Sequence, residues 1–225
     1  MQNLQLEVAC FSLKAAVKAA KAGAHRIEFC SNKSLDGISG SEAEIQELLR
    51  EVKIPIYAMV RCRGGNFVYT EDEFLWMQNY IKVIKKYAIA GFVFGCLNQN
   101  HSVNKSQNKA LVSLAAPLPC TFHKAFDVTE NALKTLEDCI ECGFKTILSS
   151  GQKPTALAGK ENLAQLIIHA KNRIQIMPGG SVRSTHVTEL LRDTGTTFLH
   201  ASCITNDSEM PDTKEIEAIL KSMQS

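Results

Sequence analysis

The chain carries little net charge. Its 225 residues hold 25 Lys and Arg against 23 Asp and Glu, a formal charge of +2. That is too small for a nucleic-acid binder, and no basic block stands out. Lys82, Lys85 and Lys86 cluster only at helical spacing, as on a solvated face. No apolar run approaches bilayer length, so no membrane partner is expected. Met1 leads straight into a strand-like run without a basic n-region and apolar h-region, so no secretory signal is expected either. Paired CxxC zinc spacing is missing, and so is a GxGxxG turn after the first strand. The first absence argues against a structural zinc site, the second against a dinucleotide-binding sheet. Eight cysteines are scattered through a chain that is 45% hydrophobic, which predicts a reduced, cytoplasmic protein with a large core.

What is present is alternation. Short β-rich runs fall at 4–10, 25–30, 54–61, 91–96, 119–123, 145–149, 173–178 and 197–201, with helical patterns between them. Ser12, Ser41 with Glu44, and Thr70 with Glu73 have the spacing of helix N-caps. Gly23, Gly143 and Gly195 suit the left-handed position after a helix. The pattern predicts one α/β domain over residues 1–225, a closed parallel (β/α)8 TIM barrel, with an open doubly wound sheet as the alternative.

Polar residues inside such strands are the informative exceptions, because parallel strands are covered on both faces. Alternation sets Leu6 and Val8, Ile27 and Phe29, Ile56 and Ala58, Phe122, and Leu199 against the helices. Arg26, Glu28 and Cys30 share the other face of the second strand. The same parity turns Glu7, Glu28, Arg61, His123 and His200 into the barrel, the last three near C-terminal strand ends, where barrels of this kind do chemistry. In PLPCTFHKAFD (117–127) a strand delivers His123 to the mouth and a loop brings Asp127 beside it. Asp127 has a rival role as the start of the next helix, and Lys124 has the opposite parity to His123. The glycine-rich turns RCRGGNF (61–67) and MPGGSV (177–182), with SSGQ (149–152), offer backbone donors. Arg61 and Arg63 are read as an anion clamp, with Ser150, Gly151, Gly179 and Gly180 binding a phosphate or carboxylate. A structural network of mutually neutralising charges is the alternative.

Cys10, Cys30, Cys62, Cys96 and Cys203 fall at or beyond strand ends, so several thiols would gather on one rim. Soft thiolates favour Cu(I). Cys30, with inward parity, leads that set.

Together LEV (6–8), AGAHRIEFC (22–30), RCRGGNFVY (61–69), TFHKAFD (121–127), SSG (149–151), IMPGG (176–180) and LHAS (199–202) resemble the CutC family of copper-homeostasis proteins. The resemblance implies a cytosolic barrel, usually a homodimer or higher homo-oligomer, proposed to bind Cu(I). It matches the family's shared glutamates to Glu7 and Glu28, its arginines to Arg61 and Arg63, and its histidine and aspartate to His123 and Asp127. The suggested copper ligands match Cys30 and the position of Ala9. Here LEVC has become LEVA, with Cys10 one place later and, by parity, facing the helices. Two functions stand side by side. One is Cu(I) handling through Cys30, with Cys10 as the second thiol where the strand is irregular, or with Cys62 or Met59 as the partner. The other is an enzyme acting on a small anionic metabolite, with His123 and Glu7 or Glu28 as acid and base.

Overall fold

In the computed structural model, described over residues 4–206 and 208–224, eight strands alternate with eight helices. The strands are β1 (Gln5–Cys10), β2 (Arg26–Phe29), β3 (Ile56–Met59), β4 (Gly91–Phe94), β5 (Cys120–Phe122), β6 (Thr146–Ser149), β7 (Gln175–Pro178) and β8 (Phe198–Ala201). The helices are α1 (Leu13–Lys21), α2 (Glu42–Glu51), α3 (Glu71–Ile84), α4 (Lys105–Ala115), α5 (Ala132–Cys142), α6 (Lys160–Ala170), α7 (Val187–Thr194) and α8 (Thr213–Met223). All strands pair in parallel, in the order β7-β6-β5-β4-β3-β2-β1-β8. A single parallel bridge, Gly179 to His200, joins the two ends and closes the barrel. Among the described residues no helix is long and apolar enough to cross a membrane.

The helix starts follow the sequence signals. Ser12 accepts from Ala15 N, and Ser41–Glu44 and Thr70–Glu73 form complete capping boxes. Each such cap is worth about 1 kcal/mol. Gly143 and Gly195 close α5 and α7 with φ of +91° and +69°. Asp127 does not begin α5. It lies in a short 3-10 helix (Lys124–Val128), and Asn131 caps α5 instead.

Parity holds in every strand where it was read. Leu6, Val8, Ile27, Phe29, Ile56, Ala58, Phe122 and Leu199 all belong to one shell of buried residues. Inside the barrel are two smaller apolar groups: Cys30, Tyr57, Met59 and Val93 on one side, and Leu148, Met177 and Phe198 on the other. Gly91 makes room for the first, since a Cβ there would meet Tyr57 Cε1 at 2.4 Å and Pro119 O at 2.6 Å.

Candidate functional site

Register builds the polar interior. Glu7 on β1 pairs with Arg26 on β2 and with His200 on β8, all at inward positions. Glu7 Oε2 takes a hydrogen bond from Arg26 Nε, and Oε1 lies 2.8 Å from His200 Nδ1. Arg26 lies over the rings of Tyr57 and Phe198, at 3.8 and 4.4 Å from the centroids. His200 Nε2 is 4.0 Å from Glu28 Oε1, and the Cys30 thiol donates to that same oxygen at 3.6 Å. Sequence reasoning missed Arg26 as a site residue, although its parity with Glu28 was the signal.

This network sets the charges. Burial pushes Glu7 up, but Arg26 and His200 outweigh it and hold the carboxyl below its usual range. Burial, reinforced by Glu7, raises Glu28 to about 7 against the pull of His200. Burial pushes His200 down, yet the Glu28 and Glu7 carboxylates carry it upward overall. Glu7, Glu28 and His200 bring ligand atoms within 4.8 Å of one another, a spacing open to a cation. Arg26 already supplies positive charge there, and both Glu7 oxygens are engaged.

Above the network lies a cavity of about 610 Å³, whose lining includes Ala9, Glu28, Cys30, Met59, Arg61, His123, Lys124, Asp127, Gly180, Ser181 and His200. That volume suits a small molecule. His123 leaves β5 and accepts from Ala125 N at its Nδ1, 3.2 Å away. An amide can only donate, so Nδ1 is bare and the neutral ring keeps its proton on Nε2. Burial, then the charge of Arg61, lowers His123 to about 3. At neutral pH it is a hydrogen-bond donor rather than a base, and its Nε2 has no partner among the described residues.

The two shifts act on stability with opposite signs. The depressed His123 favours the fold above its ordinary 6.5, and that stability is lost as pH falls toward 3. The raised Glu28 favours the fold below its ordinary 4.5, and that stability is lost as pH rises through about 7. Between 4.5 and 6.5 the two oppose each other. We expect His123→Asn to flatten the acid limb below pH 4.5 by about 1.4 kcal/mol per pH unit in urea melts. An unchanged limb would mean that His123 titrates normally.

Several expectations need correction. Arg63 does not reach the cavity: it is tied to Glu73 and to the carbonyls of Gly64, Asn66 and Val68, stapling its own loop. Arg61 does line the cavity, but its Nη1 and Nη2 hold the carbonyls of Leu35, Asp36, Gly37 and Gly65, so the fork of its two terminal nitrogens is not free for an anion. The SSGQ turn does bind an anion, and that anion is Asp127. Its carboxylate accepts from Ser149 Oγ (2.6 Å), Ser150 N (2.9 Å) and Gln152 N (3.1 Å), and Ser150 Oγ, 3.0 Å away, shares its proton with Lys153 O at 2.6 Å. Gly151 N is spent on Ser149 Oγ, and Gly179 N on Ser149 O. Gly180 lines the cavity, and so does Lys124 despite its parity, because the 3-10 turn swings it round. Of the five expected rim thiols only Cys30 lines the cavity. Cys10, Cys96 and Cys203 are buried in the outer shell, and Cys62 packs against that shell. Cys10 points its thiol at Val8 O, as its parity demands. Cys139 and Cys142 lie within α5, and all eight cysteines are free.

Comparison with known proteins follows this geometry. A family model described as the CutC family matches residues 4–205. A human protein named copper homeostasis protein cutC homolog is 37% identical over 206 residues, 91% of this chain and 76% of that one. The Caenorhabditis elegans protein of the same name is 36% identical over 89% of this chain and 81% of its own. A CutC crystal structure from Streptococcus agalactiae superposes with a TM-score of 0.83 at 29% identity, covering 88% of this chain and 98% of that one. Thiamine phosphate pyrophosphorylase from Pyrococcus furiosus, with a TM-score of 0.64 at 15% identity and cover of 99% and 96%, shares the barrel alone. By family model, by relatives and by fold, the chain belongs to the CutC family.

Proposed function

We propose that this chain serves copper homeostasis in the cytoplasm, the role carried in its relatives' names, taking Cu(I) as cargo at the barrel mouth. One observation carries the siting. Cys30 and Met59, a thiol and a thioether, are neighbours in the interior group and both line the cavity. Soft sulfur donors suit Cu(I) better than the carboxylates and the Nε2-protonated His123 around them. Cys10 is not part of this site, and Ala9 leaves the inward position of β1 without a thiol. Burial, then Glu28, pushes the Cys30 thiol well up, so Cu(I) must displace its proton and binding weakens as pH falls. Exposed Leu75 and Trp76 on α3 would support assembly as a homodimer or higher homo-oligomer.

An anaerobic Cu(I) competition titration tests the reading. We expect stoichiometric uptake by the wild type and by His123→Ala, and its loss in Cys30→Ala. Weak and equal binding by all three would reject it.

A second reading is favoured by Glu28, whose raised pKa near 7 and unpaired Oε2 at the cavity suit a general acid or base. It makes the mouth an enzyme site for a small anionic metabolite. Glu7, His200 and Arg26 would hold Glu28's charge, and Asp127 with Ser150 and Gly151 would shape the wall.

A further inference from the structure

Arg61 is 4% exposed, and every hydrogen bond its side chain makes goes to a neutral carbonyl oxygen. Among the described residues no carboxylate comes within 4.0 Å of its guanidinium, whereas Arg26, Arg63, Arg173 and Arg192 all have one. A buried cation without a counter-ion is costly, and the cavity that Arg61 lines is where one can enter. Its Nε is buried without a partner, as is His123 Nε2. The ring of Phe67 packs against both groups, 4.9 Å from the guanidinium carbon and 4.7 Å from the imidazole centroid. Two unpaired donors, one of them charged, thus border one cavity. Glu28 Oε2, buried and unpaired, adds an acceptor to the same wall.

We propose that the cavity binds a small hydroxycarboxylate, with its carboxylate on Arg61 and His123 Nε2–H and its hydroxyl donating to Glu28 Oε2. A planar carboxylate is satisfied by this donor set. A phosphate needs more donors, and several turn amides that could supply them are taken: Ser150 N and Gln152 N by Asp127, Gly151 N by Ser149, Ser184 N by Glu215. The assignment rests on the second reading above for its site and names the ligand class. Its ligand contacts are Arg61, His123 and Glu28, and Cys30 touches the site through Glu28 Oε1.

Glycolate, acetate and inorganic phosphate are the probes, titrated by calorimetry into the wild type, Glu28→Gln and His123→Asn. Asparagine places an oxygen where Nδ1 caps Ala125 but has nothing at Nε2, so the turn is kept and the donor removed. We expect glycolate to bind at roughly millimolar affinity or better. Acetate should bind more weakly and phosphate should not compete. His123→Asn should lose about tenfold. Glu28→Gln should reduce the preference of glycolate over acetate. Phosphate binding as tightly as glycolate, an unaltered His123→Asn affinity, or no glycolate binding by the wild type would each overturn the proposal. Glycolate binding without exchange of its C2 hydrogens in D2O would support the carboxylate site and remove the acid–base reading.

Discussion

Arg26→Met is expected to destabilise the fold by about 3–5 kcal/mol, while Arg26→Met with Glu7→Gln recovers most of that loss. Glu7 is fully buried, and its two oxygens are held by Arg26 and His200. Removing the guanidinium leaves a carboxylate in a dry interior with only an imidazole to balance it. Arg26 also lies over Tyr57 and Phe198, and its Nη2 lies 3.7 Å from Met177 Sδ, so it joins the two apolar halves of the interior. Methionine keeps much of that packing, which makes charge the main variable. The sign with pH follows. With Arg26 gone, Glu7 loses the strongest influence that lowers it, takes up a proton more readily, and suffers less at pH 5 than at pH 8. Urea unfolding of the single and double variants at both values measures this. A single-variant cost under about 1 kcal/mol, or a double variant no better than the single, would mean the pair does not organise the interior.

Asp127→Ala is expected to cost about 3 kcal/mol and, unlike other core defects, to be repaired by an inorganic anion. Three donors converge on this carboxylate, two of them backbone amides that cannot turn away, and Ser150 Oγ shares its one proton between it and Lys153 O. Alanine abandons them together. The vacated nest keeps its shape, because Ser150 Oγ still bonds Lys153 O and Asn162 still bonds Gly151 O. Sulfate should therefore bind there and raise the variant's Tm well beyond the modest rise it gives the wild type. Parallel Tm curves for the two proteins against sulfate would show that the turn depends on Asp127 for packing rather than for charge.

Strand count, barrel and inward set were legible because alternation of apolar residues carries the parity of each strand. The same rule placed Cys10 outside and Cys30 inside, one residue deciding which thiol can reach the mouth. What failed was the bookkeeping of donors. RCRGGNF and SSGQ looked like anion cradles, yet Arg63 is claimed by Glu73, the residue already legible in the α3 capping box, and the SSGQ amides by Asp127. Sequence gives the donors of a turn but not the acceptor that another loop brings to it. The tautomer of His123 was hidden for the same reason, since it depends on the fold of the three residues that follow.

The barrel is not equally strong around its circumference. Seven strand pairs are laced by continuous ladders, but β7 meets β8 through the Gly179–His200 bridge and a side-chain bond from Thr196 Oγ1 to Ile176 O. Local opening follows the seam with fewest bonds to break, so amide protons flanking β7 and β8 should be the first of the barrel to exchange with solvent. His200 stands on that seam and also closes the floor of the cavity. An occupant of the cavity that touches both His200 and Gly180 would act as a clasp across the gap.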